Sequence, residues 1–391
     1  MNTTPLQSLP AWTYHNQEFF KLEAEHLFLP SWHLVCHVNN IKEEGDYFTF
    51  EILGESIVVL RSDGQVRALH NVCRHRAARI LDGPDGTLDG KIVCPYHAWC
   101  YNLDGSLKSV PYRHQFGPFE DDDHGLKPVE VEIFLGFIFI RIRGSGPSVK
   151  EQFAPALDDL LPYQFENLEP LGRVTMRRRK VNWKQIADNY VDALHIPVAH
   201  PGLSSMMGNS YGLEVVGELH KMWGDVRELR GQSASVRAYR TVLPEMAHLT
   251  DEKQKSWLYY RMWPGLAFDI YPEQVDFMQF IPISATETLI REIPYGLPDN
   301  RRETGVARYL NWRINRLVNA EDTVLINRVQ DGMSSSSFEV GPLASTEVCL
   351  LDNVAKIQAA LPVARMLEEP EIGTVASINK GMLNAPIVKS K

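Results

Sequence analysis

The sequence predicts an α+β protein in which an all-β domain is followed by a larger domain that packs helices on an antiparallel sheet. Two patterns support this prediction. Residues 45–143 contain short β-rich runs separated by Asp-Gly and Gly-Pro-Asp-Gly turns. Beyond a break at residues 144–148 (GSGPS), helical and strand periodicities alternate. A chain of 391 residues is long enough for two domains with separate cores.

The elements follow in order along the chain. A helical pattern that ends at Pro30 predicts an N-terminal helical segment, to which we assign residues 1–40. The all-β domain is assigned residues 41–146 and the second domain residues 147–391. Within the second domain the periodicity predicts a helix over 149–161, a strand over 173–181, a helix from about residue 182, antiparallel strands over 257–295 and one long helix over 301–333.

The composition excludes several classes of function. Forty Lys and Arg against 49 Asp and Glu give a net charge of −9, so the chain lacks the basic surface that nucleic-acid binding requires. The longest apolar run, residues 133–140, is too short to cross a membrane, and residues 1–20 lack the pattern of a secretion signal. We therefore expect a cytoplasmic protein whose partners are neither nucleic acid nor membrane.

Two of the five cysteines point to a metal cluster. An odd number of cysteines without a secretion signal favours metal binding over disulfides. Cys73-x-His75 and Cys94-x2-His97 each offer one thiolate and one imidazole, with eighteen residues between the two motifs. Such mixed loops suit a Rieske [2Fe-2S] cluster, in which two thiolates bind one iron and two imidazoles bind the other. A structural Cys2His2 zinc is the alternative, although the spacing fits it poorly.

A second group of metal-binding side chains lies in the larger domain, in the motif Asp192-x2-His195-x4-His200. On a helix Asp192 and His195 would share a face, which would place the carboxylate beside the imidazole. Pro197 would break that helix and turn His200 toward the same metal. Two histidines and one further carboxylate would form a facial triad for non-haem Fe(II). Taken alone, a histidine pair of this kind is more often structural.

Both groups resemble one family. The segments CRHRAARILDGPDG and CPYHAWCYNLDGSL resemble the Rieske loops of ring-hydroxylating oxygenase α-subunits, with Ala77 where the family usually has Gly. The motif around Asp192, preceded by Asn-Trp-Lys and Asn-Tyr, resembles the mononuclear iron site of the same family. The resemblance covers residues 15–365 and implies a Rieske β-domain followed by a helix-grip catalytic domain. We expect the added methyl group of Ala77 to change the local packing.

The resemblance also assigns roles. It implies that His195 and His200 bind a mononuclear Fe(II) and that Asp192 bridges the two metal centres. The third ligand that it implies is Asp322, on the long helix near the C-terminus. Glu321 is the alternative, because adjacent positions of a helix point about 100° apart and only one of them can face His195.

The activity that the resemblance implies is that of a terminal oxygenase component. Electrons from NAD(P)H would arrive through a separate ferredoxin or flavin reductase, and O2 would be used to hydroxylate a small organic substrate. The family also implies a head-to-tail homotrimer, in which His97 of one subunit lies near His195 of the next. Non-enzymatic alternatives are a Rieske electron-transfer protein with an inert second domain and a zinc-bound structural protein.

The substrate is open at this stage. Residues 200–280 are rich in aromatic side chains and show no obvious carboxylate cluster, which favours an aromatic ring or an aryl ether. The same tyrosines and tryptophans could form an aromatic cage for a quaternary ammonium compound, which the enzyme would demethylate or otherwise oxygenate. In several carnitine and betaine oxygenases of the family the bridging position resembles Glu. The Asp at position 192 therefore leans toward an aromatic substrate.

Overall fold

The computed structural model describes residues 6–228 and 232–385, which form two compact units. The small unit comprises Leu29–Glu151 and Gln164–Pro170. The large unit comprises the described residues of Met1–Phe28, Gln152–Tyr163 and Leu171–Lys391. The chain therefore begins in the large unit, passes through the small unit and returns.

The small unit consists of three antiparallel sheets, with strand orders β1-β10-β9, β4-β3-β2-β5 and β6-β7-β8. Its strands are β1 (Trp32–His37), β2 (Asp46–Ile52), β3 (Glu55–Ser62), β4 (Gln65–His70), β5 (Asp85–Thr87), β6 (Ile92–Val93), β7 (Cys100–Tyr101), β8 (Leu107–Ser109), β9 (Glu130–Phe134) and β10 (Phe137–Arg141), with the two-residue strand β11 (Glu169–Pro170). The second half of the most apolar run forms β10, which pairs with β1 and β9 and is buried along its whole length. Its side chains are therefore covered on both faces of the sheet.

Three tight hairpins set the register of these strands. The connections Leu53-Gly54, Asp63-Gly64 and Leu135-Gly136 each have positive φ at both residues. Two-residue loops of this type match the right-handed twist of the flanking strands. They pair Ile52 with Glu55 and Ser62 with Gln65 directly across the turn.

The large unit contributes seven strands to an eight-stranded antiparallel sheet, in which β13 to β18 follow the order β18-β17-β16-β15-β14-β13 and β12 pairs with β18. The strands are β12 (Thr175–Arg179), β13 (Gly212–Val216), β14 (Leu219–Asp225), β15 (Ser256–Met262), β16 (Leu266–Ile270), β17 (Val275–Ser284) and β18 (Glu287–Gly296). From β13 to β18 each strand pairs with the next strand in the chain. Side chains that alternate along each strand therefore form two faces, one of which is turned toward the helices.

The helices of the large unit include one of 31 residues, α8. Helix α2 (Val149–Phe153) spans the boundary between the units. The others described are α1 (Gln17–Glu23), α3 (Leu157–Leu160), α4 (Trp183–Val191), α5 (Ile196–Ala199), α6 (Pro201–Met207), α7 (Ala234–Val242), α9 (Val348–Ala360) and α10 (Val375–Asn384), with α8 spanning Arg302–Gly332 and a π-helical turn at Ala24–Phe28. Helix α8 packs against α4, α6 and α7. Its buried residues Ala307 and Ile314 join a core with Trp257 and Tyr271 of the sheet region.

The predicted elements compare with the structure as follows. The helices expected from residue 182 and over 301–333 and the strands expected at 173–181 and 257–295 are present. The single helix expected at 149–161 is instead two short helices, α2 and α3, joined by a 3-10 turn. The boundaries of the compact units differ from the predicted domain boundaries at residues 40 and 146. Strand β1 pairs with β10 and so belongs to the small unit, whereas α1 belongs to the large unit. The assignment of separate functions to residues 1–40, 41–146 and 147–391 stays a prediction. Among the described residues, no helix has the length and apolar character needed to cross a membrane.

Candidate functional site

The first candidate metal site begins with a short loop of the small unit between β4 and β5. The N–H of Cys73 donates to the carbonyl of Ala78 at 2.8 Å, and the N–H of Ala77 donates to the carbonyl of Cys73 at 3.1 Å. Ala77 adopts a left-handed conformation with φ of 57°. These two bonds close the loop and present Cys73 and His75 from one tight turn.

The second loop, between β6 and β7, repeats this conformation. The N–H of Cys94 donates to the carbonyl of Trp99 at 2.9 Å, and the N–H of Ala98 donates to the carbonyl of Cys94 at 3.1 Å. Ala98 is left-handed as well, with φ of 55°. The mixed pair Cys94 and His97 is therefore held by the same backbone arrangement as the first pair.

The side chains of the two loops lie together. The rings of His75 and His97 have centroids 4.6 Å apart. Cys73 and Cys94 are both buried and form no disulfide. The Nδ1 atom of His75 is buried, and no described residue forms a hydrogen bond with it. In a metal-free protein, a buried ring nitrogen without a hydrogen-bond partner lowers the stability of the fold. The same nitrogen could serve as a ligand atom for a metal cluster between the loops.

Neighbouring side chains support both loops. Trp99 stacks on His75 with ring centroids 5.0 Å apart and planes within 3° of parallel. The hydroxyl oxygen of Tyr101 accepts the N–H of Arg74 at 3.0 Å and lies 3.2 Å from Sγ of Cys73. Its proton is therefore free to be donated to the sulfur. Burial raises the pKa of the Cys73 thiol, so the thiolate form needs the support of a bound metal.

The remaining cysteines lie outside the two Cys-His motifs. Cys36, Cys100 and Cys349 are buried and form no disulfide. The prediction about Ala77 needs a correction, because its methyl group is exposed and has no core to disturb. The extra methyl group instead strains the backbone, since a left-handed conformation brings Cβ close to the backbone carbonyl.

The second candidate site lies in the large unit. One ligand atom each from His195, His200 and Asp322 lies within 4.8 Å of the others, an arrangement that could hold a metal ion. The Nε2 atoms of the two histidines are 3.1 Å apart. Oδ1 of Asp322 is 2.9 Å from Nε2 of His200 and 3.6 Å from Nε2 of His195. His200 is buried and the other two side chains are half-buried.

The other nitrogen of each imidazole contacts a carboxylate. Nδ1 of His195 lies 2.9 Å from Oδ2 of Asp192, and Nδ1 of His200 lies 2.8 Å from Oε2 of Glu321. An ionised carboxylate can only accept, so both Nδ1 atoms carry a proton and both Nε2 atoms present lone pairs. Two lone pairs at 3.1 Å repel each other unless a proton or a cation lies between them. The donor set therefore fits a metal ion.

These contacts separate the roles of Asp322 and Glu321. Asp322 faces the space that both Nε2 atoms share, whereas Glu321 orients His200 from behind. Burial of His200 would lower its pKa, but Asp322 and Glu321 outweigh that effect and raise it. Asp322 and Glu321, which are adjacent on α8, thus contact the two nitrogens of the His200 ring from opposite sides.

The backbone around the histidines differs from the expected helix. Helix α4 ends at Val191, and Asp192 is extended. Its Oδ1 accepts the N–H of Leu194 at 2.7 Å, a local turn that brings Oδ2 to His195. The expectation of a shared helical face is therefore wrong, although the contact itself is present. Pro197 begins the short helix α5 and does not break a longer one.

Sequence reasoning missed two features near these residues. The amide of Asn189 donates to Oδ1 of Asp322 at 3.1 Å and lies 3.4 Å from Nε2 of His195. The expectation that residues 200–280 contain no carboxylate cluster is also wrong. Asp269 on β16 and Asp276 on β17 are direct register partners. The alternation of side chains on these strands would have indicated a shared face only if the register were known.

Comparison with known proteins then identifies the family. The model for the Rieske [2Fe-2S] domain matches residues 31–129, and the model for the ring hydroxylating alpha subunit (catalytic domain) matches residues 165–361. The chain belongs to the ring-hydroxylating α-subunit family. This family carries a Rieske [2Fe-2S] cluster and a mononuclear iron, which confirms both predicted cofactors and the predicted fold class.

Several family members resemble this chain. The carnitine monooxygenase oxygenase subunit of Escherichia coli (strain K12) is 39% identical over 202 residues, which is 50% of this chain and 53% of the relative. The carnitine monooxygenase oxygenase subunit of Acinetobacter pittii (strain PHEA-2) is 29% identical over 342 residues, 84% of this chain and 87% of the relative. The match thus spans about half the length of the Escherichia coli relative.

A solved structure of a quaternary ammonium Rieske monooxygenase shows the same fold. It superposes with a TM-score of 0.78 at 23% identity and covers 92% of this chain and 96% of its own. The α-subunit architecture expected from the sequence is thereby confirmed.

Proposed function

We propose that this chain is the terminal oxygenase component of a Rieske oxygenase system. Cys73, His75, Cys94 and His97 would hold the cluster, and His195, His200 and Asp322 would hold the mononuclear iron. The observation that carries the proposal is the pair of imidazoles whose Nδ1 atoms are both occupied by carboxylates while their Nε2 atoms face Asp322. An inert ligand-binding domain has no need of such an arrangement.

The cofactors would supply electrons, from the cluster, and dioxygen activation, at the mononuclear iron. The residues of the chain hold the ligands in place. Asp192 and Glu321 keep the protons on Nδ1 of His195 and His200, which leaves both Nε2 atoms free to bind metal. Asn189 donates to Asp322 and fixes the rotation of its carboxylate. Electrons would come from a separate ferredoxin or flavin reductase.

We assign Asp192 the further role of linking the two metal centres between subunits of a head-to-tail homotrimer. Its carboxylate is half-buried, and it contacts His195 at the nitrogen that does not face the metal. The hydrogen bonds from His195 and Leu194 outweigh the effect of burial and lower the pKa of Asp192, so it remains an ionised acceptor. A ring of identical head-to-tail contacts closes at three subunits without forming filaments.

The test of this role is Asp192→Asn, with Glu321→Gln as the matched control. Both changes neutralise a carboxylate on Nδ1 of an iron-binding histidine. We expect Asp192→Asn to retain both metals and the trimer but to stop electron transfer in single-turnover experiments. Glu321→Gln should permit transfer. A fully active Asp192→Asn variant, or a monomer in light scattering, would contradict the proposal.

We further propose that the substrate is a quaternary ammonium compound. The relatives named above are carnitine monooxygenase oxygenase subunits, and the superposed structure is a quaternary ammonium Rieske monooxygenase. The sequence favoured an aromatic substrate because position 192 is Asp and no carboxylate cluster was evident. The second of these reasons fails, since Asp269 and Asp276 lie opposite each other in the sheet. Asp192 remains the one argument for an aromatic substrate.

The deciding assay supplies the holoenzyme with a reductase and labelled dioxygen. Carnitine, glycine betaine and choline are compared with aromatic acids and aryl ethers. We expect oxygen consumption that depends on one of the quaternary ammonium compounds and is absent in His200→Ala. Label in an aromatic product alone would overturn the substrate proposal. A reducible cluster with no oxygen consumption on any substrate would favour an electron-transfer protein.

A further inference from the structure

A half-buried carboxylate pair occupies the sheet of the large unit. Asp269 on β16 stands directly opposite Asp276 on β17, so both side chains lie on the same face. The amide of Gln274 donates to Oδ1 of Asp276 at 2.8 Å. Burial and the neighbouring Asp269 raise the pKa of Asp276 well above its ordinary value. Asp269 accepts two tyrosine hydroxyls, which favour its ionised form, so it is the member of the pair better placed to carry the charge.

Hydrogen bonds link Asp269 to α4 and α8, the helices that carry Asn189 and the proposed iron ligand Asp322. The hydroxyl of Tyr190, on α4, donates to Oδ1 of Asp269 at 2.5 Å. The hydroxyl of Tyr271 donates to Oδ2 at 3.5 Å and accepts the amide of Asn315, on α8, at 2.9 Å. Tyr190 directly follows Asn189, whose side chain contacts Asp322. Asp269 is thus linked through Tyr190 and Tyr271 to α4 and α8, the helices that carry Asn189 and Asp322.

Aromatic rings surround this carboxylate. Tyr190 and Tyr259 pack edge to face with centroids 6.5 Å apart, and Tyr190 packs on Phe280 at 5.9 Å. Tyr259 is the register partner of Asp269 across β15 and β16. Burial raises the pKa of Tyr211, and the charges of Asp269, Cys349, Asp192 and Asp322 raise it further. The Tyr211 ring therefore lies near Asp269 and near the carboxylates of the candidate iron site. Tyr190, Tyr211, Tyr259 and Asp269 are all half-buried, which leaves part of each surface accessible.

Among the residues that the structure describes, Asp269 has no positively charged partner. The charged neighbour that acts on Asp269 is Glu292, another carboxylate, and no described Lys, Arg or His forms an ion pair with Asp269. Burial raises the pKa of Asp269 to about 7. A carboxylate with this pKa is only partly ionised at neutral pH, and a bound cation would favour its ionised form.

We propose that Asp269, with the rings of Tyr190, Tyr211 and Tyr259, binds the cationic head of the substrate and selects it by charge. The inference rests on the proposed function, because it names the residues that would recognise a quaternary ammonium group. Such a group donates no hydrogen bond, and it is recognised through ring faces and a nearby negative charge. Both oxygens of Asp269 already accept tyrosine hydroxyls, which suits a ligand that contributes charge alone.

Binding should release protons. A cation favours the ionised form of Asp269, so binding lowers its pKa and releases protons near pH 7. The titratable groups that face Asp269 are uncharged tyrosines and other carboxylates: Tyr190 from α4, Tyr211, Tyr259 from β15, Tyr271, Asp276 from β17 and Glu292 from β18. None of these supplies a compensating positive charge.

The experiment measures binding of choline and of 3,3-dimethylbutan-1-ol, its uncharged carbon isostere, to the iron-loaded holoenzyme by calorimetry. Asp269→Asn keeps the shape of the side chain and removes its charge. We expect the variant to bind choline about tenfold or more weakly than the wild-type protein and to bind the isostere with unchanged affinity. Proton release on choline binding, measured in buffers of different ionisation enthalpy, should disappear in the variant.

Asp276→Asn is the matched control, because Asp276 stands opposite Asp269 in the sheet but accepts its hydrogen bond from Gln274 and not from a tyrosine of the group. It should retain choline binding within about threefold and keep the proton release. Equal losses for choline and the isostere in Asp269→Asn, or no loss for either, would overturn the inference. If the wild-type protein binds neither compound yet oxygenates an aromatic substrate, the substrate proposal itself fails. Metal content and the cluster spectrum identify any variant that has failed to fold.

Discussion

The two candidate metal sites are built in opposite ways. The cluster site draws its four side chains from two short loops, each closed by hydrogen bonds within the loop itself. The mononuclear site takes two histidines from the turn after α4 and a carboxylate from α8, more than a hundred residues further along the chain. One site is determined by local backbone conformation. The other exists only where two helices pack.

The difference also appears in how the imidazoles are supported. His75 is supported by the ring of Trp99, and its buried Nδ1 has no hydrogen-bond partner among the described residues. His195 and His200 each have a carboxylate on Nδ1. The first arrangement leaves ring nitrogens for the cluster inside the loops, and the second reserves Nε2 for a metal between helices. Local loops and packed helices should therefore fail in different ways when a residue is replaced.

The largest expected effect is loss of one site with survival of the other. Cys73→Ser should abolish the Rieske absorption and EPR signals, because it removes a cluster ligand, while the mononuclear iron remains in the large unit. His200→Ala should do the reverse. Metal analysis with EPR on both variants measures this. If either substitution removed both metals, the two sites would not be independent.

A smaller effect should separate adjacent residues of α8. Asp322→Ala removes a proposed ligand and should lose the mononuclear iron entirely. Glu321→Ala removes only the carboxylate behind His200 and should weaken iron binding by about 10–100-fold. Iron titration of the two proteins compares them, and Glu321→Gln serves as the conservative control. Retention of iron in Asp322→Ala together with its loss in Glu321→Ala would exchange the two roles.

A change in electronic tuning is expected from Tyr101→Phe. The tyrosine hydroxyl lies 3.2 Å from Sγ of Cys73. Its loss removes a hydrogen bond that stabilises the more negative, reduced cluster, so the reduction potential should fall while the cluster stays intact. Redox titration followed by EPR measures the shift. Tyr96→Phe is the control, since it removes the hydroxyl of an exposed tyrosine but keeps the ring that packs on His97. Equal potentials in all three proteins would exclude the hydrogen bond as a tuning element.

The smallest effect tests whether the two cluster loops are equivalent. Ala77 and Ala98 have φ of 57° and 55°, so Gly at either position should raise the unfolding free energy of the small unit by about 0.5 kcal/mol. Ala78→Gly, at a position without positive φ, should lower it by about the same amount. Thermal loss of cluster absorbance follows this unit specifically. Unequal shifts for Ala77→Gly and Ala98→Gly would show that the loops differ.

How much of each site the sequence predicts depends on whether its residues lie in one loop or on separate elements. The four proposed cluster residues could be predicted because both members of each pair lie within one loop, where spacing alone limits their geometry. His195 and His200 could be paired for the same reason. The turn at Asp192 could not be anticipated, because its hydrogen bond to Leu194 competes with continued helix and sequence pattern does not decide that competition.

By itself, then, the sequence determined the α+β fold class, the two Cys-His loops and the histidine pair, because each of these depends on neighbours within a few residues. Tertiary structure decided the rest. Packing of α8 against α4 selected Asp322 over Glu321 for the face shared with His195 and His200. Strand register placed Asp269 opposite Asp276, and a shift of one residue would have sent one of them to the other side of the sheet. Such contacts join residues far apart in the chain, and their geometry is set by the packing of whole elements.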